Sequence, residues 1–168
     1  MSDLLTRAEP VPADTFSGNQ VTIRPAPAMA RFSLRARNAA DLKAVLGLDV
    51  PTKIGATANG VACLGPDEWM FRTTDGTALP DSKGKLVAVT DISHRNIGLI
   101  VEGPRAIEVL SAGCPLDLAG FAIGRATRTI FETVEIIVER EAEDRFHVEV
   151  WRSFAPWLWT ALTQVAAE

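Results

Sequence analysis

The clearest pattern is alternation. In "ARFSLRAR" (30–37), Phe32, Leu34 and Ala36 fall on one face, and Arg31, Ser33, Arg35 and Arg37 on the other. A period of two predicts a half-buried strand. Asn38 then caps a helix with Asp41 in its first turn. Leu42, Val45 and Leu46 form its apolar stripe, and Gly47 stops it. "GVACLGPDEWMFRTT" (60–74) reads as two strands joined by a tight Gly65-Pro66-Asp67 turn, with "DSKGK" as a loop. The same order then returns. "KLVAVTDIS" and "NIGLIVEG" are strand-like, and Gly103-Pro104 opens a second helix with Pro104 at its first position. Ala106, Ile107, Val109 and Leu110 form the buried face of that helix, and Gly113 ends it. "CPLDLAGFAIGRA" is a connector. "TIFETVEIIVER" and "RFHVEVW" predict a hairpin turning at Glu141-Ala142-Glu143-Asp144. Phe146, Val148 and Val150 point inward, while Arg145, His147, Glu149 and Trp151 take the other face. Last comes a helix capped by Ser153, with Pro156 in its first turn. Its apolar face is Phe154, Trp157, Leu158, Ala161, Leu162 and Val165.

This order predicts an α+β fold of duplicated β-α-β-β units, antiparallel sheets with packed helices. The repeat is one of pattern, without residue-by-residue identity. Residues 1–28 read differently. Pro10, Pro12, Pro25 and Pro27 interrupt them and no helical period appears, so they are expected as an extended N-terminal arm. A disordered arm and one wrapped on a partner both fit. Residues 29–168 then form a single α+β domain.

Composition narrows the class. The chain has 168 residues, 47% apolar and 23% charged, which suits one soluble globular domain. A net charge of −4 argues against nucleic acid as a partner. No apolar run is long enough for a membrane span, and the first residues lack a basic-then-apolar leader, so a cytoplasmic protein is expected. Cys63 and Cys114 have no CxxC spacing and read as buried small hydrophobes. Two histidines argue against a His-rich metal site.

Asp91, Ser93 and His94 have the residue types of a nucleophilic triad. On one strand, however, Asp91 and Ser93 share a face and His94 takes the other, and there is no GxSxG elbow. They are expected to end a strand and satisfy local backbone groups. Arg95 suits a pairing with a carboxylate. His147 sits between Arg145 and Glu149 on a face expected to be solvated or turned to a partner. Gly98 and Gly103 begin no phosphate-cradling series, and "EREAED" lacks the spacing of a calcium loop. No catalytic, cofactor-binding or metal-binding residue stands out. Trp151, Arg152 and Trp159 have the composition of a partner interface, although extra core at the strand–helix junction fits them equally.

Four segments carry a resemblance: "CLGPDEW" (63–69), "DISHR" (91–95), "GPRAIEVLSAGCPLDL" (103–118) and "EVWRSFAPWLW" (149–159). Together they resemble the gamma-subunit family of heterotetrameric sarcosine oxidase, over roughly residues 29–166. "DISHR…GPRA" is also similar to the glycine-cleavage T-proteins and the folate-binding domain of tRNA-modification GTPases. That likeness implies a fold resembling the N-terminal folate-binding domain of T-proteins. The resemblance implies a noncatalytic assembly subunit that works with alpha, beta and delta chains. The complex is an oxidoreductase acting on a CH–NH bond with oxygen as acceptor. It demethylates sarcosine to glycine, releases hydrogen peroxide and passes the one-carbon unit to tetrahydrofolate. FAD, FMN, NAD and tetrahydrofolate are implied on the larger subunits and none on this chain. An autonomous folate-binding or one-carbon-transfer domain is the alternative. It requires a pterin-sized pocket with a carboxylate at its base.

Overall fold

The computed structural model describes residues 9–168. Its strands are β1 (Phe16–Gly18), β2 (Val21–Pro25), β3 (Met29–Ala36), β4 (Thr57–Ala58), β5 (Val61–Cys63), β6 (Glu68–Thr74), β7 (Val87–Asp91), β8 (Asn96–Glu102), β9 (Arg125–Phe131), β10 (Val134–Ala142) and β11 (Arg145–Trp151). The helices are α1 (Ala39–Leu46), α2 (Ala106–Ser111) and α3 (Ala155–Ala167).

The strands form two antiparallel sheets, ordered β1-β2-β8-β11-β10-β9 and β4-β5-β6-β3-β7. The duplication is visible in these orders. β4-β5-β6-β3 in one sheet matches β9-β10-β11-β8 in the other, with α1 following β3 as α2 follows β8. Each sheet then adds a strand beside the first strand of its unit, β7 on β3 and β2 on β8.

Strand alternation makes two separate cores. One face of the first sheet packs Ile23, Leu99, Val101, Phe131, Phe146 and Val148 against Val109, Leu110, Leu158 and Leu162 of α2 and α3. One face of the second packs Phe32, Leu34, Trp69 and Phe71 against Leu42 and Val45 of α1. Each fully buried side chain of this size contributes roughly 1.5–3 kcal/mol by leaving water. The α1 ends are as expected. Asn38 Oδ1 accepts from the Asp41 N–H at 2.8 Å, and Gly47, at φ 73°, donates its N–H to Lys43 O.

Several sequence expectations need correction. The arm expected as extended over 1–28 is extended in β1 and β2, but it joins the first sheet instead of preceding the domain. Residues 16–18 and 21–25 are strands, and β2 pairs with β8 while burying Val21 and Ile23. Pro25 is itself the last residue of β2, paired with Leu99, so proline ends this short alternation instead of preventing it, and residues 1–8 lie outside the described region. "TIFETVEIIVER" is two strands, reversed at Glu132-Thr133 with Glu132 at φ 52°. A left-handed turn without glycine leaves little trace in a sequence. Helix α2 starts at Ala106, two residues past Pro104. Gly103 there has φ 130°, and a Cβ would lie 2.4 Å from Gln20 O, so that turn is closed against the β1–β2 turn. Ser153 does not cap α3, whose N-cap is Phe154 without a side-chain bond.

The phase of α3 is also rotated. Its buried positions are Ala155, Leu158, Leu162 and Ala166. Small residues define the face because the sheet comes close: a Cβ on Gly18 would lie 2.2 Å from Ala166 O. Trp157, expected in the core, is therefore 39% exposed, and Trp159 packs half-buried against the core.

Candidate functional site

The faces of the two sheets that carry no helix meet through charge. Glu149 on β11 and Arg31 on β3 are 2% and 5% exposed, and Arg31 Nε donates to both Glu149 oxygens at 2.8 and 2.9 Å. Arg31 also donates to Met29 O at 3.1 Å. His147 Nε2 lies 2.8 Å from Glu149 Oε1, and its Nδ1 lies 3.4 Å from Glu141 Oε1. Beside them Arg72 of β6 pairs with Glu139 of β10, with Arg72 Nε buried and unbonded among the described residues. Arg128 of β9 pairs with Glu68 of β6 at 2.6 Å. The solvated or partner-facing surface expected at His147 is thus an interior layer, with His147 3% exposed. The alternation correctly separates His147 and Glu149 from Phe146 and Val148. It does not show that a second sheet covers their side.

Gly98 on β8 makes room for this layer. A Cβ there would lie 2.6 Å from His147 Nε2 and 3.0 Å from Arg31 Nη2. Burial pushes the Glu149 carboxyl up, but the His147 hydrogen bond and the charges of His147, Arg31 and Arg72 outweigh it and hold it at about 2. Glu141 is held at about 2 by the His147 hydrogen bond, against desolvation, with help from Arg145. Both folded values lie below the ordinary 4.5. Their stabilisation is therefore complete above the unfolded value and is lost as pH falls toward the folded one. Urea midpoints are expected to hold down to about pH 4.5 and then to fall progressively toward about pH 2. Glu149→Gln should flatten that slope, and an unchanged acid limb in this variant would contradict the assignment.

The Asp91, Ser93 and His94 cluster closes the end of β7. Asp91 Oδ1 accepts the Ser93 N–H at 2.8 Å, while Ser93 Oγ accepts the Arg31 N–H at 2.9 Å. The Ser93 hydroxyl and N–H hold the Asp91 carboxyl below its usual value. Ser93 is thus a brace between two strands. Among the described residues, no three His, Cys, Asp or Glu side chains group to hold a metal ion. Cys63 and Cys114 are buried free thiols, and burial pushes the Cys63 thiol up.

A cleft of about 440 Å³ opens beside this strand end, lined among others by Val11, Pro25, Arg31, Ser93, His94 and Arg152. Its one buried charged side chain is Arg31, already bonded to Glu149. The carboxylates on its wall, Glu9 and Asp75, are exposed. Among the described residues, no buried carboxylate lines it to receive a pterin.

The third feature is aromatic. Trp151 is 42% and Phe154 45% exposed, with ring centroids 6.4 Å apart, and the Arg95 guanidinium lies 5.1 Å from the Trp151 ring centroid. Trp157, three residues beyond Phe154, stands edge-on to Phe131. Arg152 is half-buried and pairs with Glu9 at 3.6 Å. Of Trp151, Arg152 and Trp159, the structure brings the first two to this surface and turns Trp159 toward the core. Phe154 and Trp157 take its place, and the small residues Ala155 and Ala166 were the available sign of that phase.

No helix among the described residues is long and apolar enough to cross a membrane. Residues 33–168 match the model of the "Sarcosine oxidase, gamma subunit family". The chain is 29% identical to the sarcosine oxidase subunit gamma of Corynebacterium sp. (strain U-96), over 92% of this chain and 85% of that protein. It is 31% identical to the same subunit from Arthrobacter sp., over 76% and 71%. A solved heterotetrameric sarcosine oxidase from Corynebacterium sp. U-96, in complex with pyrrole 2-carboxylate, contains a chain similar at TM-score 0.78 and 27% identity, covering 93% of this chain and 90% of that one. The glycine cleavage system aminomethyltransferase T from Bartonella henselae shares the fold at TM-score 0.68 and 16% identity, over 87% of this chain and 46% of that one. The duplicated α+β architecture and the resemblance read from four short segments therefore converge, and the chain belongs to the sarcosine oxidase gamma subunit family.

Proposed function

We propose that this chain is a noncatalytic assembly subunit of a heterotetrameric sarcosine oxidase. Its partners are alpha, beta and delta chains. The complex demethylates sarcosine to glycine in the cytoplasm, yields hydrogen peroxide and transfers the one-carbon unit to tetrahydrofolate. FAD, FMN, NAD and tetrahydrofolate reside on the larger subunits. The chain contributes one α+β domain that presents Trp151, Arg152, Phe154 and Trp157 to a neighbouring subunit.

The observation that carries this reading is the exposed aromatic group. Large rigid rings left in water, with arginines beside them, have the composition of interface anchors. The titratable groups favour the same reading. Arg31, Glu149, His147, Asp91 and Ser93 bond to one another or to nearby backbone, which suits structural roles. The test uses the isolated chain. It is expected to show no flavin absorbance, no sarcosine-dependent peroxide and no calorimetric signal with tetrahydrofolate. Tight tetrahydrofolate binding would support the autonomous folate-binding alternative and overturn this one. Within the complex, Ser93→Ala is expected to change sarcosine turnover by less than about twofold, as for a strand brace remote from chemistry. A large fall in turnover with assembly intact would place Ser93 at a reaction centre.

A further inference from the structure

The internal duplication exposes an asymmetry. In the first sheet β2 lies on β8, and β1 lies antiparallel on β2. In the second sheet β7 takes the place of β2 on β3, and nothing described pairs with its far side. Among the described residues, no strand takes in the second sheet the position that β1 fills in the first. Other edges are engaged in part. The start of β9 bridges to the strand before β4 at Ala56 and Arg125, and the β1–β2 turn is bonded by the end of α3 through the Asn19 N–H and Ala166 O.

The hydrogen-bond register shows what the β7 edge offers. The Ile92 N–H donates to Arg31 O, and Ser33 pairs with Thr90 and Arg35 with Ala88. Those alternate residues turn their backbone groups toward β3, so Val89 and Asp91 turn theirs outward. An open edge of this kind is a template for another strand. Leu86, at its start, is 67% exposed. A groove of about 380 Å³ lies at its start and reaches across the end of β3, lined by Arg35, Arg37, Asp67, Lys85, Leu86 and Ala88 among others. Arg35 is paired with Asp67 at 2.9 Å and Lys85 with Asp41 at 3.5 Å, whereas Arg37 makes no ion pair among the described residues.

We propose that the outer edge of β7 is a strand-docking site that takes an extended segment of another subunit of the assembly, with an apolar side chain over Leu86 and Ala88 and a carboxylate facing Arg37. The inference rests on the assembly reading above. A partner subunit suits this edge better than a second copy. Five residues of strand bury far less than the roughly 1,000 Å² that a stable interface needs by itself. The same short strand is useful when its partner is already held elsewhere, because the second contact then forms at high effective concentration.

The test is hydrogen exchange on the co-expressed complex and on the isolated chain, together with two variants. Val89→Pro removes an outward N–H that β3 does not use, and a proline with its missing donor toward solvent is tolerated on an edge strand. Arg37→Glu reverses the unpaired charge without touching the backbone. In the complex, the Val89 and Asp91 amides are expected to slow at least about tenfold relative to the isolated chain. Each variant is expected to weaken assembly about tenfold, the equivalent of one or two lost hydrogen bonds. The melting temperature of Arg37→Glu should stay at the parental value. Equal exchange in both states, or parental assembly by Arg37→Glu, overturns the docking site while leaving the assembly reading in place. Concentration-dependent protection of Val89 in the isolated chain assigns the edge to a second copy and also overturns it. Failure of the parental chain to enter the complex overturns both readings.

Discussion

Glu149→Ala is expected to lower the melting temperature by roughly 6–20 °C, from about 3–5 kcal/mol for a broken buried pair and about 2–4 °C per kcal/mol at this chain length. The effect is large because of what remains. Arg31 and His147 stay buried between two sheets, and the carboxylate that accepts from Arg31 and contacts His147 is gone. The intact pair need not be a large net stabiliser, because bringing both charges out of water offsets most of their attraction. Its chief role is to tie β3 to β11 at one register. A double-mutant cycle separates these effects. Arg31→Ala and Glu149→Ala should each be severe, and the double variant should lose clearly less than their sum. Additive losses, or a melting temperature for Glu149→Ala within a degree or two of the parental value, would contradict the coupled layer.

Trp151→Ala combined with Trp157→Ala is expected to weaken association with the larger subunits by at least about 30-fold, the scale of one aromatic hot spot of about 2 kcal/mol. The isolated chain should melt within a few degrees of the parental protein, since both rings are about two-fifths exposed. Trp159→Ala should behave in the opposite way. Its ring packs half-buried against the first core, so the fold loses stability while assembly of the folded fraction changes little. Association measured by sedimentation, with melting curves on each free variant, resolves the two classes. If Trp159→Ala proves the stronger assembly variant, the phase assigned to the α3 surface is wrong.

These contrasts also show where sequence reasoning reaches its limit. Local chemistry is legible. Asn38 and Gly47 mark the ends of α1, and the two-residue period separates Phe32 and Leu34 from Arg31 and Ser33. What covers each face is a tertiary fact. Alternation places His147 and Glu149 opposite the helices. Only the second sheet, brought there by a match repeated across more than a hundred residues between Arg31 and Glu149, turns that side into an interior. The same limit explains α3. Hydrophobicity weights Trp157 toward the core, yet the buried face of α3 runs through Ala155, Leu158, Leu162 and Ala166, with β1 in close approach at Ala166. Strands β1 and β2 were obscured by prolines, and the β9–β10 reversal by a turn without glycine. Asp91 and Ser93 serve backbone groups at a strand end as expected, whereas His94 is an exposed turn residue.

The most direct test of the assembly role is co-expression of this chain with candidate alpha, beta and delta chains, followed by size exclusion and sarcosine-dependent peroxide assay with and without it. The chain is predicted to co-elute with the flavin-containing peak, and its omission to reduce the yield or stability of active complex. Elution of the chain alone, beside a fully active and equally stable complex formed without it, would contradict that role.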